Sequence, residues 1–394
     1  MKKKFIKDVM LNTISNFLLL AIVQLVIFPY FNMTYGFEKF GEITAIYGLN
    51  SIFLVYLGDS LNNVKIIHQK TSGDNFNILS LFAVSVSLIL SLIVFNIYGI
   101  GLQKVDIIIF SIATSLGVFR VYLGSNLRIK LNYINILLTN IFVFLGYVIG
   151  LFVFKLTHYW SLIFFIGELS GVLFLIKKTD FFKQSFKWNA ERKIVMRDYL
   201  NLSTSYGING VSNYLDRILI IPILGATSMS VFYAASVVSK IIIMLLGQFN
   251  TVFLAYFMKR KKEINRNNIL KFQFLLSILL LTLYYPILFV SKISIKILYG
   301  NMYDKTMDIL PFITLGILFY SMANFLKIFI LKYFDLKIQL NIQIFYTVLY
   351  VIFAFIFSSN YGLKGFSISY CIMGLISTIM YVMVIIFFKT KENN

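Results

Sequence analysis

Cysteine, histidine and acidic side chains are scarce in this sequence. Among 394 residues there are one cysteine, two histidines and 16 Asp and Glu. The single cysteine, Cys371, excludes an internal disulfide and any metal cluster built on several cysteines. His68 and His158 lie at the ends of different apolar runs, and we expect them on opposite sides of a membrane. The sequence therefore predicts no metal site and no bound cofactor.

Charge is also sparse, because only 13% of the residues are Asp, Glu, Lys or Arg, whereas 59% are hydrophobic and the mean hydropathy is +0.83. This composition lies outside the range of soluble globular proteins. Each apolar run is long enough for a crossing of about 20 residues. The fold class predicted is an all-α polytopic membrane protein with about 12 transmembrane helices. The predicted spans are 8–32, 39–64, 77–98, 105–127, 133–154, 159–176, 199–224, 228–256, 270–291, 308–330, 338–358 and 363–388.

The net charge of +20 does not favour a nucleic-acid partner, because the charge is not gathered on a soluble domain. An even number of spans puts both termini on one side, and most basic residues fall on that side. The positive-inside rule then predicts that both termini are cytoplasmic. No cleavage pattern follows the basic N-terminus, so the first apolar run is predicted to be a span and not a signal peptide.

A polar stretch at 177–198 separates six spans from six more. We predict an N-terminal six-helix bundle (1–180), a cytoplasmic linker (181–198) and a C-terminal six-helix bundle (199–394). The linker fits either an amphipathic segment at the lipid headgroups or a solvated loop. A weak internal repeat, 35–46 against 224–235, suggests parallel halves, which is a transporter architecture with the substrate path between the two bundles.

No catalytic motif is present: the sequence has no HExxH, no GxSxG and no Walker loop, and we predict no catalytic residue and no enzyme. The remaining candidates for functional residues are a few charged side chains inside the predicted spans. Each costs about 2.5 to 3.5 kcal/mol at mid-bilayer, so each must face protein or a wet cavity.

The seventh span is the most polar. Ser205, Asn209, Ser212 and Asp216 recur at helical period and form one stripe. Arg217 lies about 100° around the helix from Asp216, so the two need not pair.

Four further intramembrane charges are candidates. Lys240 lies about halfway along the eighth span, and Arg120 in the fourth has small neighbours. Asp59 and Glu168 lie in the second and sixth spans. The structural alternative for each is an ion pair between helices or a side chain that reaches the membrane surface. The functional hypothesis is a cationic cavity that grips a diphosphate, to which arginine can bind bidentately. In this hypothesis the substrate-binding residues are Arg120, Asp216, Arg217 and Lys240, and the candidates for coupling a proton or sodium ion are Asp59, Glu168 and Asp216.

Three segments carry a resemblance to a known family: YLDRILIIPILGATSMSVFYAA at 214–235, ILYGNMY at 297–303 followed by ILP at 309–311, and YGLKGFSIS at 361–369. They resemble the C-terminal half of polysaccharide (O-antigen) flippases of the multidrug/oligosaccharidyl-lipid/polysaccharide exporter (MOP) superfamily. The N-terminal half matches only in its span count and in the pattern of its second span.

The resemblance implies two six-helix bundles in a MATE-like V shape that move an undecaprenyl-diphosphate-linked oligosaccharide between leaflets by alternating access. It singles out Asp216 and Arg217, whereas Lys240, Arg120 and Asp59 rest on membrane physics. The implied partners are this lipid-linked substrate, membrane lipids, and a polysaccharide polymerase with its chain-length regulator. The alternatives are an integral-membrane polymerase or glycosyltransferase of the same pathway, or a MATE-type drug or cation antiporter.

Overall fold

The computed structural model describes residues 2–68, 76–179, 181–183, 192–259, 266–334 and 336–387. Within these ranges the regular structure is helical and contains no strand. Two π-helical turns, Val23–Ile27 and Leu54–Asp59, join α1 to α2 and α2 to α3. The helices are α1 (Lys2–Ile22), α2 (Phe28–Phe53), α3 (Ser60–Ile67), α4 (Asn77–Tyr98), α5 (Lys104–Ile129), α6 (Tyr133–Thr157), α7 (Ser161–Thr179), α8 (Arg192–Asn213), α9 (Leu215–Leu224), α10 (Ala226–Lys259), α11 (Arg266–Thr282), α12 (Tyr284–Leu298), α13 (Tyr303–Met307), α14 (Leu310–Tyr333) and α15 (Leu336–Phe387).

Seven helical segments in the described part of the chain are long and apolar enough to cross a membrane, and two of these are long enough for two crossings each. Lys7–Ile67 has 61 residues and Ile338–Phe387 has 50, whereas one crossing takes about 20. Each bends at a glycine with positive φ, Gly36 (φ 73°) and Gly362 (φ 56°), a backbone conformation that glycine adopts without a steric penalty. These segments correspond to the first and second predicted spans and to the eleventh and twelfth.

The sixth, seventh and eighth predicted spans are helical but more polar. They correspond to α7, to α8 with α9, and to α10. Glu168 lies within α7, and Asp216 and Arg217 lie in the first turn of α9. With these, every predicted span coincides with helix in the structure, and the prediction of an all-α membrane fold is confirmed.

The helices of the first half pack through close contacts at glycine. A Cβ atom added at Gly150 of α6 would lie 2.5 Å from the Cα atom of Ile163 in α7. One added at Gly146 would lie 2.7 Å from the Cα atom of Gly167. Small residues spaced by four let two helix backbones approach in this way, and this approach brings the polar side chains of α6 and α7 within reach of each other.

The chain divides into two compact units, Met1–Ile218 and Leu219–Asn394. The predicted boundary lies earlier, at the linker 181–198, whereas the structure groups α8 with the first unit. Hydrogen bonds to the second span explain this grouping. The hydroxyl oxygens of Ser60 and Ser203 are 3.1 Å apart, and Asn63 Nδ2 donates to Tyr206 Oη at 2.8 Å.

Candidate functional site

Two of the candidate charges pair with each other. Arg120 on α5 donates through Nε to Glu168 Oε2 at 2.6 Å and through Nη2 to Glu168 Oε1 at 3.1 Å. Their side chains are only 16% and 10% exposed. Two parallel charge-assisted hydrogen bonds form the strongest kind of pairing between arginine and a carboxylate. The structure therefore places this arginine in an interhelical ion pair between α5 and α7.

A polar network extends from this pair to two more helices. Arg120 Nη1 lies 3.5 Å from Asn140 Oδ1, and Tyr147 Oη donates to Glu168 Oε1 at 3.4 Å. Asn140 Nδ2 in turn donates to Ser15 Oγ at 2.7 Å. Because these residues lie on α1, α5, α6 and α7, the network ties four helices of the first unit together.

Glycine residues make the space for this ion pair. A Cβ atom added at Gly171 would lie 2.9 Å from Arg120 Cδ, and one at Gly117 would lie 3.5 Å from Glu168 Oε2. Gly117 belongs to the small neighbours that the sequence analysis assigned to Arg120, whereas Gly171 comes from the facing helix. The arginine is therefore closely fitted in its position.

Asp59 has different surroundings. It ends the π-helical turn Leu54–Asp59 in the second span. Within the described residues its carboxylate makes no hydrogen bond and no ion pair, although the positive charges of Arg128 and Arg120 act on it. Since both oxygens of Glu168 already accept hydrogen bonds, Asp59 is the better placed of the two to exchange a proton or a cation.

Asp216 and Arg217 are the most deeply buried charges of the predicted set, at 2% and 5% exposed. Arg217 Nε lies 3.7 Å from Asp216 Oδ2. On a regular helix the two would not need to pair, but here they come directly after the break at Tyr214, between the end of α8 and the start of α9. Their charged groups lie within ion-pair distance although the two residues point in different directions around α9.

Gly48 in the second span accommodates the stem of Arg217. A Cβ atom added at Gly48 would lie 2.5 Å from Arg217 Cγ and 3.1 Å from its Cβ and Cδ. The sequence analysis missed this glycine, because nothing local marks which helix faces α9. Ser205 and Asn209, the other members of the predicted stripe, lie outside the side chains that the structure describes, whereas Ser212 Oγ donates to the carbonyl of Ile208 within α8.

Lys240 lies on α10 in the second unit and is half-buried. Its Nζ atom is 5.8 Å from the ring centroid of Phe232, a distance at which the ring attracts the ammonium. At the preceding residue, the hydroxyl oxygens of Ser239 on α10 and Thr314 on α14 lie 3.4 Å apart. This part of the second unit therefore presents a cation with an aromatic neighbour.

No group of three or more His, Cys, Asp or Glu that could hold a metal ion is found among the described residues. The candidate charges are side chains, and all of them except Lys240 lie in the first unit.

No family model matches this sequence, and no curated protein matches it. Solved structures do. A lipid II flippase, MurJ, in its inward closed conformation is similar with a TM-score of 0.69 at 15% identity, over 97% of this chain and 86% of that chain. An inward-facing multidrug resistance MATE family transporter of the MOP superfamily is similar with a TM-score of 0.64 at 15% identity, over 94% and 93%.

A third similar structure is a MOP superfamily transporter from Pyrococcus furiosus, whose description states that its binding pocket has reversed polarity. Its TM-score is 0.61 at 14% identity, over 96% of this chain and 95% of that chain. These three structures are named as transporters or as a flippase, and at this level of identity the likeness shows a shared fold. The chain has the fold of the MOP superfamily of transporters.

Proposed function

We propose that this protein is a flippase that moves a diphosphate-linked lipid oligosaccharide, such as an O-antigen or other surface polysaccharide repeat unit, across the bacterial cytoplasmic membrane. The observation that carries the proposal is the burial of Arg217 beside Asp216 under Gly48, within the segment that resembles polysaccharide flippases. The fold is shared with a lipid II flippase, and this supports the same class of substrate.

The electrostatic argument concerns the sign of the substrate. A polar headgroup cannot cross hydrocarbon unless its hydration is replaced, and an anionic diphosphate requires cations for that. Arg217 is buried at 5% exposed, and its Nε atom lies 3.7 Å from Asp216 Oδ2. We propose that the guanidinium turns toward the diphosphate as the substrate passes, and that Lys240 of the second unit supplies a further positive charge.

Arg120 has a different part in this proposal. Because Glu168 holds it bidentately, its charge is already neutralised, and we propose that it fixes the helices around the passage while Asp59 exchanges the coupling ion.

A drug or cation antiporter is the second candidate, favoured by the likeness to a multidrug resistance MATE family transporter at a TM-score of 0.64. The two differ in the charge of the substrate. Intramembrane arginine and lysine favour an anion, whereas a cationic drug would be repelled by them.

The test is made in the bacterial cell. Arg217→Ala or Lys240→Ala should abolish surface glycan while lipid-linked repeat units accumulate on the cytoplasmic face. Arg217→Lys, which keeps the charge but not the bidentate geometry, should retain part of the activity. If unpolymerised units still appear outside and only the polymer length changes, the polymerase alternative is correct. If glycan export is unchanged and resistance to cationic drugs falls, the antiporter is correct.

A further inference from the structure

The segment between α7 and α8 presents exposed cations and apolar side chains together. Lys177 and Lys178 end α7 with both side chains exposed. A 3-10 turn at Phe181–Lys183 follows, and the side chain of Phe182 is 76% exposed. These residues come directly after the sixth predicted span, at the level where the hydrocarbon gives way to headgroups.

The inner side of this segment is firmly anchored. Phe181 is buried and its ring lies 5.1 Å from that of Phe119 in an edge-on arrangement. Phe181, Val195 and Tyr199 belong to one buried apolar cluster of the first unit. The 3-10 turn and the start of α8 therefore both pack into this core of the first unit, whereas the side chain of Phe182 is exposed.

The outer side of the start of α8 continues the same pattern. Lys193, Ile194, Arg197 and Leu200 are all exposed, and the side chain of Arg197 is 71% exposed. The spacing of three and four residues places them on one side of the helix. Cationic and apolar side chains thus alternate on this face, and exposure of its apolar side chains to water is unfavourable.

The acid in α8 does not cancel this charge. Asp198 Oδ2 lies 3.0 Å from His68 Nε2, and its other oxygen lies 3.7 Å from Arg197 Nε. An exposed pair of the latter kind contributes about 0 to 1 kcal/mol. Lys177, Lys178 and Lys193 make no ion pair within the described part of the chain, so positive charge exceeds negative charge among the described residues of this surface.

We propose that this surface, formed by Lys177, Lys178, Phe182, Lys193 and Arg197, is a binding site for the headgroup of an anionic phospholipid. The ammonium and guanidinium groups contact the phosphate, and Phe182 packs among the upper acyl chains. Each cation near an anionic membrane surface contributes about 1 kcal/mol, and an aromatic side chain is favoured at that depth. This goes beyond the proposed transport, since the ligand is a resident lipid of the bilayer and not the cargo.

The experiment uses the full chain purified in a neutral detergent, with no cargo lipid present. Phosphatidylglycerol is titrated into the micelles, and the bound lipid is counted by native mass spectrometry. Phosphatidylcholine, which has no net charge, is the reference lipid. We expect phosphatidylglycerol to be retained and phosphatidylcholine to be lost at the same concentration.

The test variant is Lys193→Gln with Arg197→Gln. Losing two cations at about 1 kcal/mol each should weaken phosphatidylglycerol binding about 30-fold. The matched control is Lys292→Gln with Lys296→Gln, which removes the same charge from two exposed positions on α12. Because these positions lie outside the proposed surface, the control should change binding less than about twofold, below about 0.4 kcal/mol.

Three results would overturn the proposal. One is equal retention of the two phospholipids by the unmodified chain. Another is equal weakening by the test and control variants, which would mean that only net charge matters. The third is displacement of the bound phospholipid by millimolar inorganic diphosphate, which would assign the surface to a soluble anion. Because the cargo is absent throughout, failure here leaves the flippase proposal untouched.

Discussion

The ion pair between Arg120 and Glu168 makes a quantitative prediction about stability. Removing one partner of a buried pair leaves an uncompensated charge, which costs about 3 to 5 kcal/mol. Here the cost should fall in the upper part of that range, because two hydrogen bonds of 2.6 and 3.1 Å are lost and, among the described residues, a 3.5 Å contact with Asn140 is the hydrogen bond that the guanidinium keeps. We therefore expect Glu168→Ala, and separately Arg120→Ala, to lower the free energy of unfolding by about 4 kcal/mol.

The double variant decides whether the pair acts as a unit. Arg120→Met with Glu168→Leu keeps the volume and removes both charges, and such replacements are often close to neutral. Some loss remains, because the hydroxyl of Tyr147 loses its acceptor at about 1 to 3 kcal/mol. We expect the double variant to be more stable than Arg120→Met or Glu168→Leu alone, which complete the double-mutant cycle, with a coupling energy above about 2 kcal/mol.

The assay is unfolding of the purified protein in mixed micelles with increasing sodium dodecyl sulfate, followed by circular dichroism. Glu168→Gln is the matched control, because it removes the charge with little change of shape. If the two single losses simply add in the double variant, the side chains do not stabilise the protein as a pair, and the assignment of Arg120 as a tie between α5 and α7 is wrong.

Two further predictions concern contacts that the sequence did not reveal. Gly48→Ala should displace the stem of Arg217 by overpacking, at about 1 to 3 kcal/mol, and should lower export of the lipid-linked cargo as Arg217→Ala does; unchanged export would show that the contact is not needed. Asp106→Ala should destabilise the protein by about 2 kcal/mol, since the buried carboxylate accepts from the backbone N–H of Ser161 at 3.0 Å and from its hydroxyl at 2.6 Å. Asp106→Asn should recover more than half of that loss in the same unfolding assay, and an equal loss in both variants would contradict the capping role.

The fold was largely predictable because hydropathy reports burial in lipid directly. Each predicted span coincides with helix. The spans that correspond to α7, to α8 with α9, and to α10 were predicted as well, although these helices are not among the seven described segments that are long and apolar enough to cross a membrane. The kinks at Gly36 and Gly362 fall between consecutive predicted spans, where a short polar break requires the chain to reverse.

The candidate site was predictable as a set of positions but not as a set of contacts. Arg120 and Glu168 are 48 residues apart, and no local pattern says that α5 faces α7 at that level. The sequence analysis assumed an unbroken seventh helix, whereas α8 ends at Asn213 and Asp216 and Arg217 lie in the first turn of α9. The sequence analysis also missed Glu42 and Asp106, two buried acids near the ends of their spans, because their contacts depend on how the helices pack.

Glu42 shows this reason most clearly. Its two carboxylate oxygens accept the same backbone N–H, that of Gly101, at 3.0 and 3.1 Å. The acceptor lies in the second span and the donor lies in a loop two helices later. Only the packed structure reveals that such a carboxylate holds a turn in place, so a charge near the membrane surface could not be assigned to a contact from the sequence.

The central claim is that buried cations carry an anionic lipid headgroup across the membrane. The direct measurement places the purified chain in vesicles with a fluorescent polyprenyl-diphosphate lipid and uses a membrane-impermeant reductant to score its movement between leaflets. We predict rapid movement with the unmodified chain and a loss of about 10- to 100-fold with Arg217→Ala, the value of one charged hydrogen-bonded contact. A chain that moves a lipophilic cation instead, or that moves the diphosphate lipid equally well without Arg217, would contradict the account.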